Sequence, residues 1–132
     1  MAIEAYSLAR DGEKQLSANF KVREFYCRDG SDPIFVDSEL VQCLQKIRNH
    51  FGRPVHITSG YRTAAYNARK DVGGAKFSQH QYGKAADIWI EGVSVDTLAN
   101  YIDQSVLPNT GGIGRYYKDA AHPNRKQPFV HI

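Results

Sequence analysis

One acid stands inside an otherwise apolar run, Ala85-Ala86-Asp87-Ile88-Trp89-Ile90. A run this short and apolar reads as a strand, where successive side chains point to opposite faces. Ile88 and Ile90 then share one face with Ala86, while Asp87 shares the other with Ala85 and Trp89. An unpaired carboxylate in such surroundings is expensive, so the fold has to bring Asp87 a partner. A second run, Phe129-Val130-His131-Ile132, has the same form, with His131 turned away from Val130 and Ile132. If the two strands are neighbours, carboxylate and imidazole meet over one pocket. His80, in the segment before the first run, can fold over the same place, because Gly83 allows the turn and Ala85-Ala86 leave room.

Two imidazoles and one carboxylate form a ligand set that leaves zinc a fourth position for water. Zinc with an open position is a hydrolytic catalyst. Taken singly, Asp87 is accounted for as a solvent-facing acid and the histidines as incidental. Taken together, with glycine and alanine at the supporting positions, the three favour a metal.

The chain has 132 residues, which points to one domain, and its 42% hydrophobic and 23% charged residues are those of an ordinary globular protein. The formal charge is +3, with Lys and Arg scattered among 14 acids. That is no nucleic-acid footprint. A weakly positive surface suits an anionic partner such as a bacterial cell wall without singling one out. No stretch approaches the ~20 apolar residues of a membrane span. Met1 to Tyr6 lacks a basic region followed by an apolar one, so the expectation is a chain made in the cytoplasm that is either kept there or released to the cell wall by a route other than a signal peptide. Cys27 and Cys43 are too few for a disulfide scaffold and match no zinc spacing. They read as two buried or half-buried thiols, with a single bridge dependent on geometry.

Residues 1–18 are weakly patterned and read as an extended arm or a short strand. Asn19 to Cys27 alternates in part, as a strand or packing segment, and 28–33 is a turn by composition. Asp37-Ser38 starts a helix, with Leu40, Val41, Leu44, Ile47 and Phe51 at helical spacing and Gly52 and Pro54 as its stop. Pro54 to Ser59 reads as a strand, and Thr63 caps a helix over about 64–70 that Gly73-Gly74 ends. Ser94 caps another helix from Val95 to about Gln104. Gly111 to Tyr117 suggests a strand with close backbone approach, 118–127 is a polar loop, and Phe129 to Ile132 is the last strand. The order of elements predicts an α+β fold with a mainly antiparallel central sheet and flanking helices.

Several strings follow one another in order: Ser59-Gly60-Tyr61-Arg62-Thr63, Tyr66-Asn67, Gly73-Gly74, Ser78-x-His80-x-x-Gly83-x-Ala85-x-Asp87, Gly111-Gly112-Ile113-Gly114-Arg115-Tyr116 and Phe129-Val130-His131. From about Phe20 onward the chain resembles the zinc D-alanyl-D-alanine carboxypeptidases, in particular their short single-domain branch. The resemblance implies a Hedgehog/DD-peptidase-like fold over one domain, 1–132, and hydrolysis of peptide bonds in the stem peptides of peptidoglycan. It implies Zn2+ held by His80, Asp87 and His131. It implies that Arg62 binds and polarises the substrate, and that Ser78 sets a hydroxyl near the substrate terminus. A loop hydroxyl bonded to nearby backbone explains Ser78 equally well. Zinc and Arg62 together can hold the oxyanion of an attacked amide; alternatively Arg62 can grip a terminal carboxylate with its planar fork. Tyr61 and Trp89 can line the cleft. The glycines of 111–114 either admit an extended peptide or make a plain turn. His50 and His56 read as structural.

The resemblance breaks at the general base. Related dipeptidases carry an acid three residues before the last histidine, where this chain has Pro128, and the branch usually has an Asp after the His-Val or His-Ile pair, beyond Ile132 here. His122, with Asp119 behind it, is the candidate by type and proximity. The expected activity is D-alanyl-D-alanine carboxypeptidase. The alternatives are an L-alanyl-D-glutamate endolysin of a phage or prophage released by a holin, and a non-catalytic, zinc-containing cell-wall-binding or phage-tail module. A zinc domain of purely structural use leaves Arg62 and Ser78 without a task. A monomer is expected, with the stem peptide as partner and no nucleic acid or membrane span.

Overall fold

The two apolar runs become neighbouring strands. In a computed structural model of the chain, which describes residues 3–68, 79–106, 113–117 and 127–132, four strands form an antiparallel sheet: β5 (His56–Ser59), β6 (Asp87–Trp89), β8 (Phe129–His131) and β7 (Gly114–Tyr116), side by side in that order. Asp87 stands opposite His131 and Ile88 opposite Val130. The alternation is the one the sequence dictates. Ile88 and Val130 are fully buried and join one core with Leu44, Ile47, Leu98 and Ile102, whereas Asp87 and His131 lie on the opposite face.

Two helices supply that core. In α2 (Ser38–Phe51), Asp37 is the N-cap and accepts from the Glu39 amide at 2.9 Å. Leu40, Val41, Leu44 and Ile47 are its buried stripe, and Gly52 ends it in the left-handed conformation. Ser94 caps α4 (Val95–Tyr101) through the Thr97 amide. Here the chain departs from the expected helix to about Gln104: residues Ile102–Val106 widen into a π turn, with Ile102 still in the core. Thr63 caps the short α3 (Ala64–Asn67) as the sequence indicates.

The first third of the chain is more structured than its patterning suggests. β1 (Ile3–Ser7) runs into the one-turn α1 (Leu8–Asp11) and pairs with β4 (Pro33–Asp37). β2 (Gln15–Ser17) pairs with β3 (Phe20–Lys21), and Val22–Phe25 forms a 3-10 turn. β4 was not expected; composition led straight from a turn to the start of α2. Its three apolar residues put Ile34 and Val36 into the core and leave Phe35 outside.

Cys27 is buried and Cys43 partly so, both as free thiols. His50 stacks on Tyr101 with ring centroids 3.8 Å apart, and His56 on Trp89 at 4.3 Å. Among the described residues no helix is long and apolar enough to cross a membrane.

Candidate metal centre

A row of residues crosses the open face of the sheet. Ser59, Asp87, His131 and Gly114 stand opposite one another on β5, β6, β8 and β7. Ser59 reaches this row through an irregularity in β5: Ile57 pairs with Ile88, yet the next paired position is Ser59 with Asp87, so one extra residue is inserted. Such a bulge re-aims a side chain that strict alternation would have sent into the core.

His80 comes to the same place from a 3-10 turn, Gln79–Tyr82. Its carbonyl accepts from the Arg62 and Gly83 amides, and the Gly83 carbonyl accepts from the Asp37 amide at 2.9 Å, which ties the turn to the start of α2. The imidazole is buried, 2% exposed, with Nδ1 2.6 Å from the Gly60 carbonyl. A carbonyl only accepts, so Nδ1 carries the proton and Nε2 of the neutral ring presents a lone pair. That lone pair faces Asp87 Oδ1 at 3.3 Å, and His131 Nδ1 faces the same oxygen at 2.8 Å. Lone pair against carboxylate is repulsive unless a cation lies between them, whether a proton or a metal ion. One ligand atom from each of His80, Asp87 and His131 falls within 4.8 Å of the others, so the three can hold a metal ion. The carbonyl behind His80 is the outer hydrogen bond that fixes a ligating imidazole's tautomer and aim.

The remaining carboxylate oxygen is held by Arg62. Its NH2 lies 3.4 Å from Asp87 Oδ2, its Nε donates to Ser59 Oγ at 2.9 Å, and its NH1 donates to Asn67 Oδ1 at 3.3 Å. These bonds engage three of the five N–H donors of the guanidinium. Arg62→Lys keeps the charge and loses the fork. The expected result is a fall of roughly 10- to 100-fold in zinc affinity, read by competition with a chromophoric chelator, because an outer-shell contact to a ligand is lost.

Burial by itself would raise the pKa of Asp87, but with no metal and a proton in the gap between each imidazole and the carboxylate, the hydrogen bonds from His131 and His80 outweigh it and hold the carboxyl down from 3.8 to about 2. A lowered folded-state value means stability that is present above the unfolded pKa and lost as pH falls through the folded one. In the metal-free protein this contribution, on the order of 2 kcal/mol, is expected to disappear between pH of about 4 and 2. Urea midpoints measured across that window should fall for the wild type and flatten for Asp87→Asn.

Of the other expected site residues, Tyr61 is half-buried beside Arg62, its ring edge-on to Phe35 with centroids 5.3 Å apart. Ser78, His122 and Asp119 lie outside the described residues. Three contributors had no assigned role in the sequence reading: the Gly60 carbonyl behind His80, and Ser59 and Asn67 behind Arg62. All three sit in the strings Ser59-Gly60-Tyr61-Arg62 and Tyr66-Asn67, which were the available signal.

Residues 17–122 match the peptidase M15 family. The peptidoglycan L,D-endopeptidase MepK of Escherichia coli strain K12 is 31% identical over 102 residues, which take in 74% of this chain and 50% of that protein. The same identity and coverage hold for the proteins of that name from Escherichia coli O157:H7 and Shigella flexneri. The chain thus spans about half the length of the curated relatives it matches. No solved structure matches it. His131 lies beyond the matched stretch, and it is the β6–β8 pairing that carries it to Asp87. With most of its length covered by the family pattern, the chain belongs to the peptidase M15 family.

Proposed function

We propose that the chain is a zinc-dependent peptidase that hydrolyses amide bonds in peptidoglycan stem peptides. The observation that carries this is the convergence of His80 Nε2, Asp87 Oδ1 and His131 Nδ1, with the Gly60 carbonyl fixing the first ring and Arg62 the carboxylate. Zinc held by these three groups would supply a Lewis acid and a bound water with a pKa near 7. The chain's own residues do the rest. The Gly60 carbonyl keeps the proton of His80 on Nδ1 and so keeps Nε2 available as a ligand. Ser59 and Asn67 hold the guanidinium of Arg62 in one plane, and two N–H donors that none of these described residues engages can serve a substrate carbonyl or the oxyanion formed from it. His122 is the group we assign to proton transfer, Ser78 and Tyr61 to substrate contact, all within one domain.

The sequence resemblance supports D-alanyl-D-alanine carboxypeptidase activity. A cut inside the stem peptide is the second reading, supported by relatives named as L,D-endopeptidases. Mass spectrometry of a muropeptide digest decides between them. Release of free D-alanine is expected for the first and two peptide-bearing fragments for the second, and a chelator should abolish either. Capture on cell walls with no product at any pH, with zinc bound, would instead mean a recognition module.

A further inference from the structure

The row next to the metal row is aromatic on every strand. His56 stands opposite Trp89 on β5 and β6, and Tyr116 opposite Phe129 on β7 and β8. The pairing of Ile88 with Val130, continued by one residue, brings Trp89 beside Phe129. The rings lie face to face in pairs, His56 on Trp89 at 4.3 Å and 23°, Tyr116 on Phe129 at 4.6 Å and 7°. Alternation puts this row on the same face as Asp87 and His131, two residues further along, which is about 7 Å. The rings are not core: His56 is exposed, Trp89 and Phe129 are half-exposed, and Tyr116 is 39% exposed. At the Trp89 end the row opens into a depression of about 720 Å³ walled also by Glu91, Ser94 and Gln127.

We propose that this row is a saccharide subsite that seats a pyranose ring of the glycan strand bearing the stem peptide; the proposal rests on the peptidase reading above. A pyranose has an apolar C–H face and a rim of hydroxyl and acetamido groups. Ring surfaces beside a carboxylate, a hydroxyl and an amide meet both. An extended peptide would instead look for the unpaired backbone of an edge strand.

Trp89 is the chain's one tryptophan, so intrinsic fluorescence reports on this row. Titrating the full chain with an N-acetylglucosamine tetrasaccharide, with and without zinc, is expected to change its emission saturably. Tyr116→Ala and His56→Ala should each weaken that binding roughly two- to tenfold, the range of one aromatic contact, while keeping the wild-type circular dichroism. Wild-type enzyme should cleave a glycan-borne stem peptide with a lower KM than the same peptide free. No emission change at millimolar saccharide, unchanged affinity in both variants, or equal KM for the two substrates would overturn the subsite. Saccharide binding without cleavage of any peptide would leave the subsite standing and remove the peptidase reading.

Discussion

Replacing His80 with alanine is expected to lower zinc-dependent hydrolysis by roughly three orders of magnitude or more. That is about 4 kcal/mol of transition-state stabilisation, the scale of a metal ion acting on a developing charge. Two effects combine. The variant loses one of three ligand atoms, and the Gly60 carbonyl, 2.6 Å from Nδ1 in the intact protein, loses its buried partner. The second effect is structural and costs about 1–3 kcal/mol by itself. The two are separated by measuring thermal midpoints with and without zinc. An ion that binds only the folded state raises the midpoint by mass action; the wild type should gain from added zinc and His80→Ala should not, whatever its starting midpoint. His50→Ala is the matched control. Its ring is also an imidazole packed on an aromatic ring, stacked on Tyr101 with centroids 3.8 Å apart, but it stands at the end of α2 with no part in the site. It should lose stability and keep both the zinc response and turnover of a free peptide. A His80→Ala protein that still gains several degrees from zinc would mean that the ion sits elsewhere.

What could be read from the sequence, and what could not, follows from the range of the interactions involved. The α2 helix was legible because its cap, its stripe and its stop all lie within sixteen consecutive residues, Asp37 to Gly52. Asp87 and His131 were legible as a pair because each is the odd polar residue in an apolar run, and two-residue alternation puts both on one face. β4 was not, because Ile34-Phe35-Val36 is too short to carry a periodicity and becomes a strand only by pairing with β1, some thirty residues away. The direction of the Ser59 side chain was hidden for a related reason. Alternation from Ile57 sends it into the core, and only the bulge against β6 turns it to Arg62. The role of Arg62 also shifts with the geometry. The resemblance implied a substrate-facing cation, and the structure adds a guanidinium braced on three protein oxygens, one of them a candidate ligand of the ion. His122, the proposed proton acceptor, lies outside the described residues.

Gly83→Ala is expected to cost about 2–5 kcal/mol, and the contrast with Gly52 explains why. Both glycines have positive φ, +64° at Gly52 and +70° at Gly83. An L-residue in that region costs about 1–2 kcal/mol. At Gly52 the cost ends there, since a Cβ would meet nothing within 4 Å. At Gly83 the added carbon would run into the Phe35 carbonyl and come within 3.0 Å of the Val36 amide nitrogen, both of them backbone of β4. Backbone paired in a strand cannot swing aside as a side chain would, so strain of about 1–3 kcal/mol adds to the conformational cost. The relief available is for the turn Gln79–Tyr82 to lift away from β4, which breaks the Asp37–Gly83 hydrogen bond and moves His80 away from the Gly60 carbonyl, 2.6 Å from its Nδ1, and from Asp87, 3.3 Å from its Nε2. The loss should therefore appear in two places at once. In urea unfolding of the metal-free protein, Gly52→Ala should shift the free energy by about 1–2 kcal/mol and Gly83→Ala by about 1–3 kcal/mol more. In zinc titrations, Gly52→Ala should match the wild type, whereas Gly83→Ala should bind the ion at least tenfold more weakly because the ligand triangle opens on the His80 side. Equal effects of the two substitutions on stability and on zinc would show that Gly83 is chosen for its φ alone, and that the contact with β4 does not set the position of His80.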